Sequence, residues 1–255
     1  MGDGVDRVAL FATCLVDLYR PSVGLASAEL LEQAGYRVEV PEGQTCCGQP
    51  AWNSGDTRRA KTLARQTMAA LEGYGYVVVP SGSCAGTLIH DYPQLFAEDP
   101  EDLGAAEDLA SRTWELTRFL VEVAGITGLD ANFRHKVCYH DACSGLRGLG
   151  IKHQPRQLLG SVDGLELQEL PNTEICCGFG GTFCVKYPEI STRLVDDKLD
   201  AIRSTGADTV LAGELGCLLH IAGRLKRNDE PIRAYHIAEI LADMGDQPAI
   251  GEGDD

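Results

Sequence analysis

The sequence lacks nucleotide-binding signatures. No G-x-G-x-x-G follows an apolar run, and no G-x-x-x-x-G-K-[ST] occurs. Nicotinamide and nucleotide phosphates are therefore not expected ligands. A ferredoxin-type C-x-x-C-x-x-C run is also missing, so electrons leaving this chain would need a clustered partner protein. No apolar stretch approaches the ~18 residues of a membrane span. The first one, Val8 to Val16, reads as a strand running into a loop. Positive charge is scarce: 22 Lys and Arg stand against 38 Asp and Glu, a formal net charge of −16. Phosphate recognition needs a basic face, so nucleic acid and anionic lipid are not expected partners. The opening Met1-Gly2-Asp3-Gly4-Val5-Asp6 is acidic where a secretory signal is basic, and the cytoplasm is the expected compartment. Aromatics are few, at 6%, but 44% of the 255 residues are hydrophobic. That content excludes general disorder, and a chain of this length buries a core without disulfide staples.

What the chain has is cysteine. Ten fall at 14, 46, 47, 84, 138, 143, 176, 177, 184 and 217. In a reducing compartment such a count points to metal binding or catalysis rather than to disulfides. Eight of them form two copies of one pattern. Cys143 follows Cys14 by 129 positions, Cys176 and Cys177 follow Cys46 and Cys47 by 130, and Cys217 follows Cys84 by 133. The flanks agree: Pro41 and Pro171 stand five residues before each pair, and Gly48 and Gly178 follow it. Such matching marks a duplicated supersecondary unit.

The intervening segments repeat too. Val8 to Phe11 and Val137 to Tyr139 read as strands ending before Cys14 and Cys143. Tyr36 to Val40 and Leu165 to Leu170 read as strands leading to the cysteine pairs, and Tyr76 to Val79 and Thr209 to Leu211 as β-branched third strands. Helical spacing of apolar residues marks Val23 to Ala34, Arg58 to Glu72 and Thr192 to Thr205. Trp114 to Val123 and Tyr235 to Met244 read as closing helices. This alternation predicts an α/β fold of two duplicated parallel-sheet halves, 1–125 and 126–255, with cysteine loops at the carboxyl ends of the strands, where open parallel sheets bind ligands. The Gly- and acid-rich ends, Met1 to Asp6 and Gly245 to Asp255, are expected to be loose.

Four thiolates converging from three strand ends suit a single zinc or an iron–sulfur cluster. Neighbouring side chains in an extended chain point to opposite faces, so both members of a Cys-Cys pair reach one centre only if the backbone turns, which Gly48 and Gly178 permit. Cys138 aligns with Ala9 inside a strand and reads as a small buried hydrophobe. Cys184 aligns near Ser54 and is either an extra ligand or a bystander. His90 and His220 read as ordinary helix histidines.

These residues resemble the cysteine-rich CCG domain, found in tandem in the B-type component of heterodisulfide reductase, in the iron–sulfur component of glycolate oxidase and in lactate-utilisation A proteins. The family pattern is a cysteine, then Cys-Cys, then Cys-x-x-Cys. Here 31 residues separate Cys14 from Cys46, and 32 separate Cys143 from Cys176. The resemblance covers nearly the whole chain. The short length, Pro80-Ser81-Gly82-Ser83-Cys84, Cys176-Cys177-Gly178-Phe179-Gly180-Gly181-Thr182-Phe183 and Lys186-Tyr187-Pro188-Glu189-Ile190-Ser191 look most like the lactate-utilisation branch. The first cysteine of the closing Cys-x-x-Cys is Ser81 in one half and Glu214 in the other. Each half thus offers four matched thiols where the larger non-cubane clusters of heterodisulfide reductase relatives use five, so beside such a cluster the resemblance leaves a 4Fe-4S cluster, or a zinc in one half, as an equal expectation. The implied ligands are Cys14, Cys46, Cys47 and Cys84, then Cys143, Cys176, Cys177 and Cys217.

The implied function is that of an iron–sulfur oxidoreductase subunit in the oxidation of L-lactate, a small 2-hydroxy acid, to pyruvate. Its implied partners are a ferredoxin-like iron–sulfur subunit and a third lactate-utilisation protein. A zinc-bound structural or assembly subunit and a heterodisulfide-type thiol redox subunit are the alternatives. The halves differ in polar equipment. The second has Tyr139-His140-Asp141-Ala142-Cys143, Arg147 and Glu214; the first has only Phe11-Ala12-Thr13-Cys14. His140, Asp141 and Arg147 are the candidate catalytic residues, to shuttle protons or anchor a carboxylate. The competing reading is that they brace the loop presenting Cys143.

Overall fold

The structure is a computed structural model that describes residues 6–252. The chain divides into two compact units, Met1–Gly125 and Ile126–Asp255. Each is an α/β unit around a four-stranded, all-parallel sheet. In the first, β1 (Arg7–Leu10), β2 (Arg37–Glu39), β3 (Tyr76–Val79) and β4 (Thr113–Glu115) lie in the order β2-β1-β3-β4. In the second, β5 (Lys136–Tyr139), β6 (Glu166–Gln168), β7 (Thr209–Ala212) and β8 (Arg233–His236) repeat that order as β6-β5-β7-β8. The registers repeat as well. Val8 pairs with Val38 and Tyr76, and its counterpart Val137 pairs with Leu167 and Thr209.

The sheets are apolar where helices cover them. Val8, Ala9 and Leu10 are buried in β1, and all four residues of β7 are buried. The Pro21–Gln33 helix packs Val23, Ala26, Leu30 and Leu31 inward. The Thr57–Ala70 helix buries Ala60, Ala64, Thr67 and Met68, and its start is held by Asp56, whose side chain accepts from the Arg59 N–H at 3.1 Å. The corresponding Pro188–Ser204 helix buries Ser191, Val195, Lys198, Leu199 and Ile202. The two inner faces match position for position at a separation of 131, which sets Lys198 where the first half has Thr67.

Two expectations need correction. Trp114 and Tyr235 do not begin helices. They lie in β4 and β8, and the helices start only at Leu116 and Ile237. Strands of three and four residues covered by neighbours show no alternation, so they merge with the apolar spacing of the helix that follows. The second helix start is fixed by a capping box, with the His236 side chain accepting from a backbone N–H and Glu239 reaching back to the His236 N–H. The C-terminal segment is not loose as far as Glu252. Ala249 and Ile250 are buried, the Tyr235 hydroxyl donates to the Gln247 carbonyl at 2.9 Å, and the Ile250 N–H bonds the Ala234 carbonyl. Residues 1–5 and 253–255, the rest of the expected tails, lie outside the described residues. No helix among the described residues is long and apolar enough to cross a membrane.

Candidate metal centres

Each cysteine of the duplicated set lies just beyond the carboxyl end of a strand. Cys14 opens the Cys14–Tyr19 helix after β1, Cys46 and Cys47 follow β2, and Cys84 lies in the Gly82–Gly86 helical turn after β3. Because β1 is flanked by β2 and β3, the three segments emerge side by side. The Gln44 amide donates to the Leu10 carbonyl at 2.9 Å and draws the cysteine-pair loop over the end of β1. Gly48 then turns the chain at φ 87°, in the left-handed region that suits glycine.

The four thiols of the first half converge. Cys47 Sγ lies 3.5 Å from Cys84 Sγ. Cys46 is hydrogen-bonded to Cys14 and to Cys47. Those two hydrogen bonds hold the Cys46 thiol far below its ordinary value, while Cys14 and Cys47 are pushed up by the same sharing with Cys46. A metal binds such a group as thiolates. Two braces hold the arrangement: the Ser81 hydroxyl accepts from the Cys84 N–H at 3.3 Å, and the buried Tyr92 hydroxyl donates to the Cys47 carbonyl at 2.8 Å. Ser81, in the place of the family's additional cysteine, is thus a helix cap.

The second half repeats this construction with different supports. Cys177 Sγ and Cys217 Sγ are 3.0 Å apart, and the Gly178 N–H points to Cys176 Sγ at 3.3 Å. Cys143 is hydrogen-bonded to Cys176, and that bond together with burial pushes its thiol up. His220 Nδ1 donates to the Cys177 carbonyl at 2.9 Å, the role Tyr92 has in the first half. Gly178 has φ 83°, and a Cβ there would collide with the Ser191 carbonyl oxygen of the covering helix. All ten cysteines are free thiols. Cys138 is enclosed within β5, paired with Val210, and its thiol is pushed up to about 12 by burial. Cys184 turns to the Gly181 carbonyl at 3.2 Å.

The expected polar residues part company. Asp141 is paired with Arg156, which grips both carboxylate oxygens at 2.9 and 2.8 Å and bonds Glu169 with the same guanidinium. Arg147 is exposed, and its charge acts on the Cys143 thiol against the upward shift. Glu214 is buried beside Cys217, at the start of the Leu215–Arg227 helix. His140 is 1% exposed, and burial, aided by the charge of Lys198, pushes its imidazole down to about 3. A ring nitrogen of His140 and the sulfurs of Cys177 and Cys217 lie within 4.8 Å of one another. Lys198 is fully buried, and neither its Nζ nor either ring nitrogen of His140 has a hydrogen-bond partner. Sequence reasoning missed Arg156 and Lys198. A lysine in the apolar stripe Val195, Leu199, Ile202 was the available signal for Lys198; nothing in the sequence pairs Arg156 with Asp141.

Converging thiols fit an iron–sulfur cluster or a zinc ion in either half, and the unpartnered polar atoms around Cys177 and Cys217 fit an anionic or metallic group in the second. A cysteine-rich domain family, CCG, matches residues 8–89 and 137–222, one copy in each half. Lactate utilization protein A of Bacillus cytotoxicus is 46% identical over 235 residues, covering 92% of this chain and 98% of that protein. Its Geobacillus kaustophilus counterpart is 48% identical over the same shares.

The chain belongs to the lactate utilization protein A family.

A crystal structure of a hypothetical protein from Helicobacter pylori is similar with a TM-score of 0.67 at 15% identity, covering 96% of this chain and 50% of that one. That likeness concerns the fold alone. In this member of the lactate utilization protein A family, both matched segments run from the first strand through the last cysteine of a half, so each copy of the family domain encloses one group of four thiols.

Proposed function

We propose that each half holds one iron–sulfur centre, of the 4Fe-4S type, through Cys14, Cys46, Cys47 and Cys84 in the first and Cys143, Cys176, Cys177 and Cys217 in the second. In this reading the chain is an oxidoreductase subunit of a lactate-utilisation system that oxidises L-lactate to pyruvate. The observation that carries it is the convergence of four thiols at the carboxyl edge of each sheet, with Sγ–Sγ separations of 3.5 and 3.0 Å at the deeper pair of each group. The names of the relatives supply the substrate.

Oxidising a 2-hydroxy acid to a 2-oxo acid releases two electrons and two protons. When bound, an iron–sulfur cluster supplies one-electron transfer, and two centres match the two electrons. Arg147, exposed and charged beside Cys143, receives the carboxylate of the 2-hydroxy acid. Asp141, locked to Arg156, holds the loop that presents Cys143. A ferredoxin-like iron–sulfur subunit takes the electrons onward, because this chain has no ferredoxin-type motif of its own, and a third lactate-utilisation protein completes the system.

The mixed His140, Cys177 and Cys217 donor set favours a second reading for that half, a zinc ion with imidazole and thiolate ligands. The test of the function is reconstitution. The chain with both partners should convert L-lactate to pyruvate with an electron acceptor, and the chain alone should not. Turnover by partners lacking this chain would refute the assignment.

A further inference from the structure

We propose that His140 is a nitrogen ligand of the second-half centre, which makes that centre a mixed imidazole–thiolate site while the first is all-thiolate. This rests on the reading that each half binds metal at its group of thiols, with His140 and three of the four second-half thiolates completing four coordination positions.

The backbone fixes His140 where a ligand is needed. It is the first residue beyond β5, and its N–H donates to the Leu211 carbonyl at 2.7 Å, so it continues the ladder toward β7. Its side chain is shut inside, at 1% exposure, with both ring nitrogens unpartnered. A buried polar atom left without a hydrogen bond costs roughly 1–3 kcal/mol, so such atoms mark a missing partner. The missing partner is defined by what surrounds the ring. A ring nitrogen, Cys177 Sγ and Cys217 Sγ all lie within 4.8 Å of one another. In a tetrahedral zinc site, bond lengths of about 2.3 Å to sulfur and about 2.0 Å to nitrogen put those donors roughly 3.6 Å apart. A small rotation of the side chains closes the difference.

Two ordinary explanations for a buried histidine do not apply. It is not paired with Asp141, whose two oxygens are held by Arg156. Nor does it hydrogen-bond Lys198, because the Lys198 Nζ is itself unpartnered. Lys198 adds to the case. An ammonium in a dry core is tolerated beside compensating negative charge, and a metal held by thiolates carries that charge. The fold itself does not demand this pair. At the same two positions the first half has Phe11, fully buried, and Thr67, and its strands have the same register. The polar substitutions are confined to the half where they flank Cys177 and Cys217.

The test is pulsed electron paramagnetic resonance on the full-length chain, after counting iron, sulfide and zinc. The second-half centre is read as the dithionite-reduced iron form or, if zinc is found, after exchange for cobalt. A strongly coupled nitrogen should be present and should change on labelling the histidines with 15N. It should vanish in His140→Phe, which copies the first half, and in His140→Cys, which keeps a soft donor. It should persist in His153→Ala, an exposed control. His140→Phe should also weaken second-half metal affinity by at least about 10–100-fold, the loss that even an outer partner of a ligand brings. A metal-loaded second half with no strongly coupled nitrogen, or one whose nitrogen signal survives His140→Phe, overturns the inference and leaves the four-thiolate reading intact. A second half that binds no metal overturns both.

Discussion

Replacing Arg156 by methionine should unfold the second half far more readily while leaving the first half alone. The Asp141 carboxylate is fully enclosed, at 0% side-chain exposure, and both its oxygens bond Arg156, which is itself 17% exposed. Removing the guanidinium leaves a buried carboxylate uncompensated, a loss of about 3–5 kcal/mol. Urea slopes of about 1–3 kcal/mol per molar turn this into a midpoint shift on the order of 2 M. The partner on the other side gives the contrast. Glu169 is 57% exposed, so Glu169→Gln should cost about 0–1 kcal/mol. Its carboxyl is held below the ordinary range by its hydrogen bond to Arg156. That small contribution is present above the unfolded value of about 4.3 and is lost as the pH falls through the lower folded value. The chain offers a convenient assay, because its two tryptophans, Trp52 and Trp114, both lie in the first unit. In the metal-free, reduced chain, tryptophan fluorescence should keep its midpoint in Arg156→Met while the circular-dichroism transition splits and moves to lower urea. A loss under about 1 kcal/mol, or an equal loss in Glu169→Gln, would refute the claim that Asp141 is anchored by this buried pair.

Gly178→Ala should deplete second-half metal much more than Gly48→Ala depletes the first. Both residues have positive φ, which costs about 1–3 kcal/mol for other residues. Only at Gly178 does the new methyl strike a backbone carbonyl, whereas at Gly48 the nearest atom, Leu63 Cβ, is 3.4 Å away; metal analysis of the two variants decides it. Cys177→Ser should abolish the absorbance of its centre, and Cys138→Ser should leave it nearly unchanged because Cys138 is enclosed within β5; loss of metal in Cys138→Ser would mean the halves are misaligned. Arg147→Ala should leave metal content near normal and raise the lactate concentration needed for half-maximal turnover of the reconstituted complex. An unchanged concentration dependence would remove Arg147 from substrate binding.

The two α/β halves and the meeting of four thiols in each were legible in the sequence because duplication printed the same spacings twice. An offset of 129 to 133 positions holds across the first three strands of each half, the helix after each cysteine pair and the duplicated cysteines. The fourth strands were not legible, since β4 and β8 have three and four residues and each runs straight into a helix. Polar partners were legible only in part. His140 drew attention because it stands beside Cys143 in the chain, whereas its neighbourhood with Cys177 and Cys217 exists only once β5 and β7 are paired. Arg156 lies 15 residues beyond Asp141 on the His153–Leu159 helix, and no local spacing links a strand-end carboxylate to a helix cation. Arg147, a candidate catalytic residue from sequence, is exposed, and its charge acts on the Cys143 thiol.

The central claim is that the eight duplicated cysteines build two separate metal centres, one in each half. Iron, sulfide and zinc per chain, measured on anaerobically purified protein, test it most directly when three forms are compared: the unaltered chain, Cys46→Ser/Cys47→Ser and Cys176→Ser/Cys177→Ser. Each double variant should lose one centre and keep the full complement of the other, so that the two losses add up to the metal content of the unaltered chain. Complete loss in either variant, or retention of all metal in both, would contradict the account.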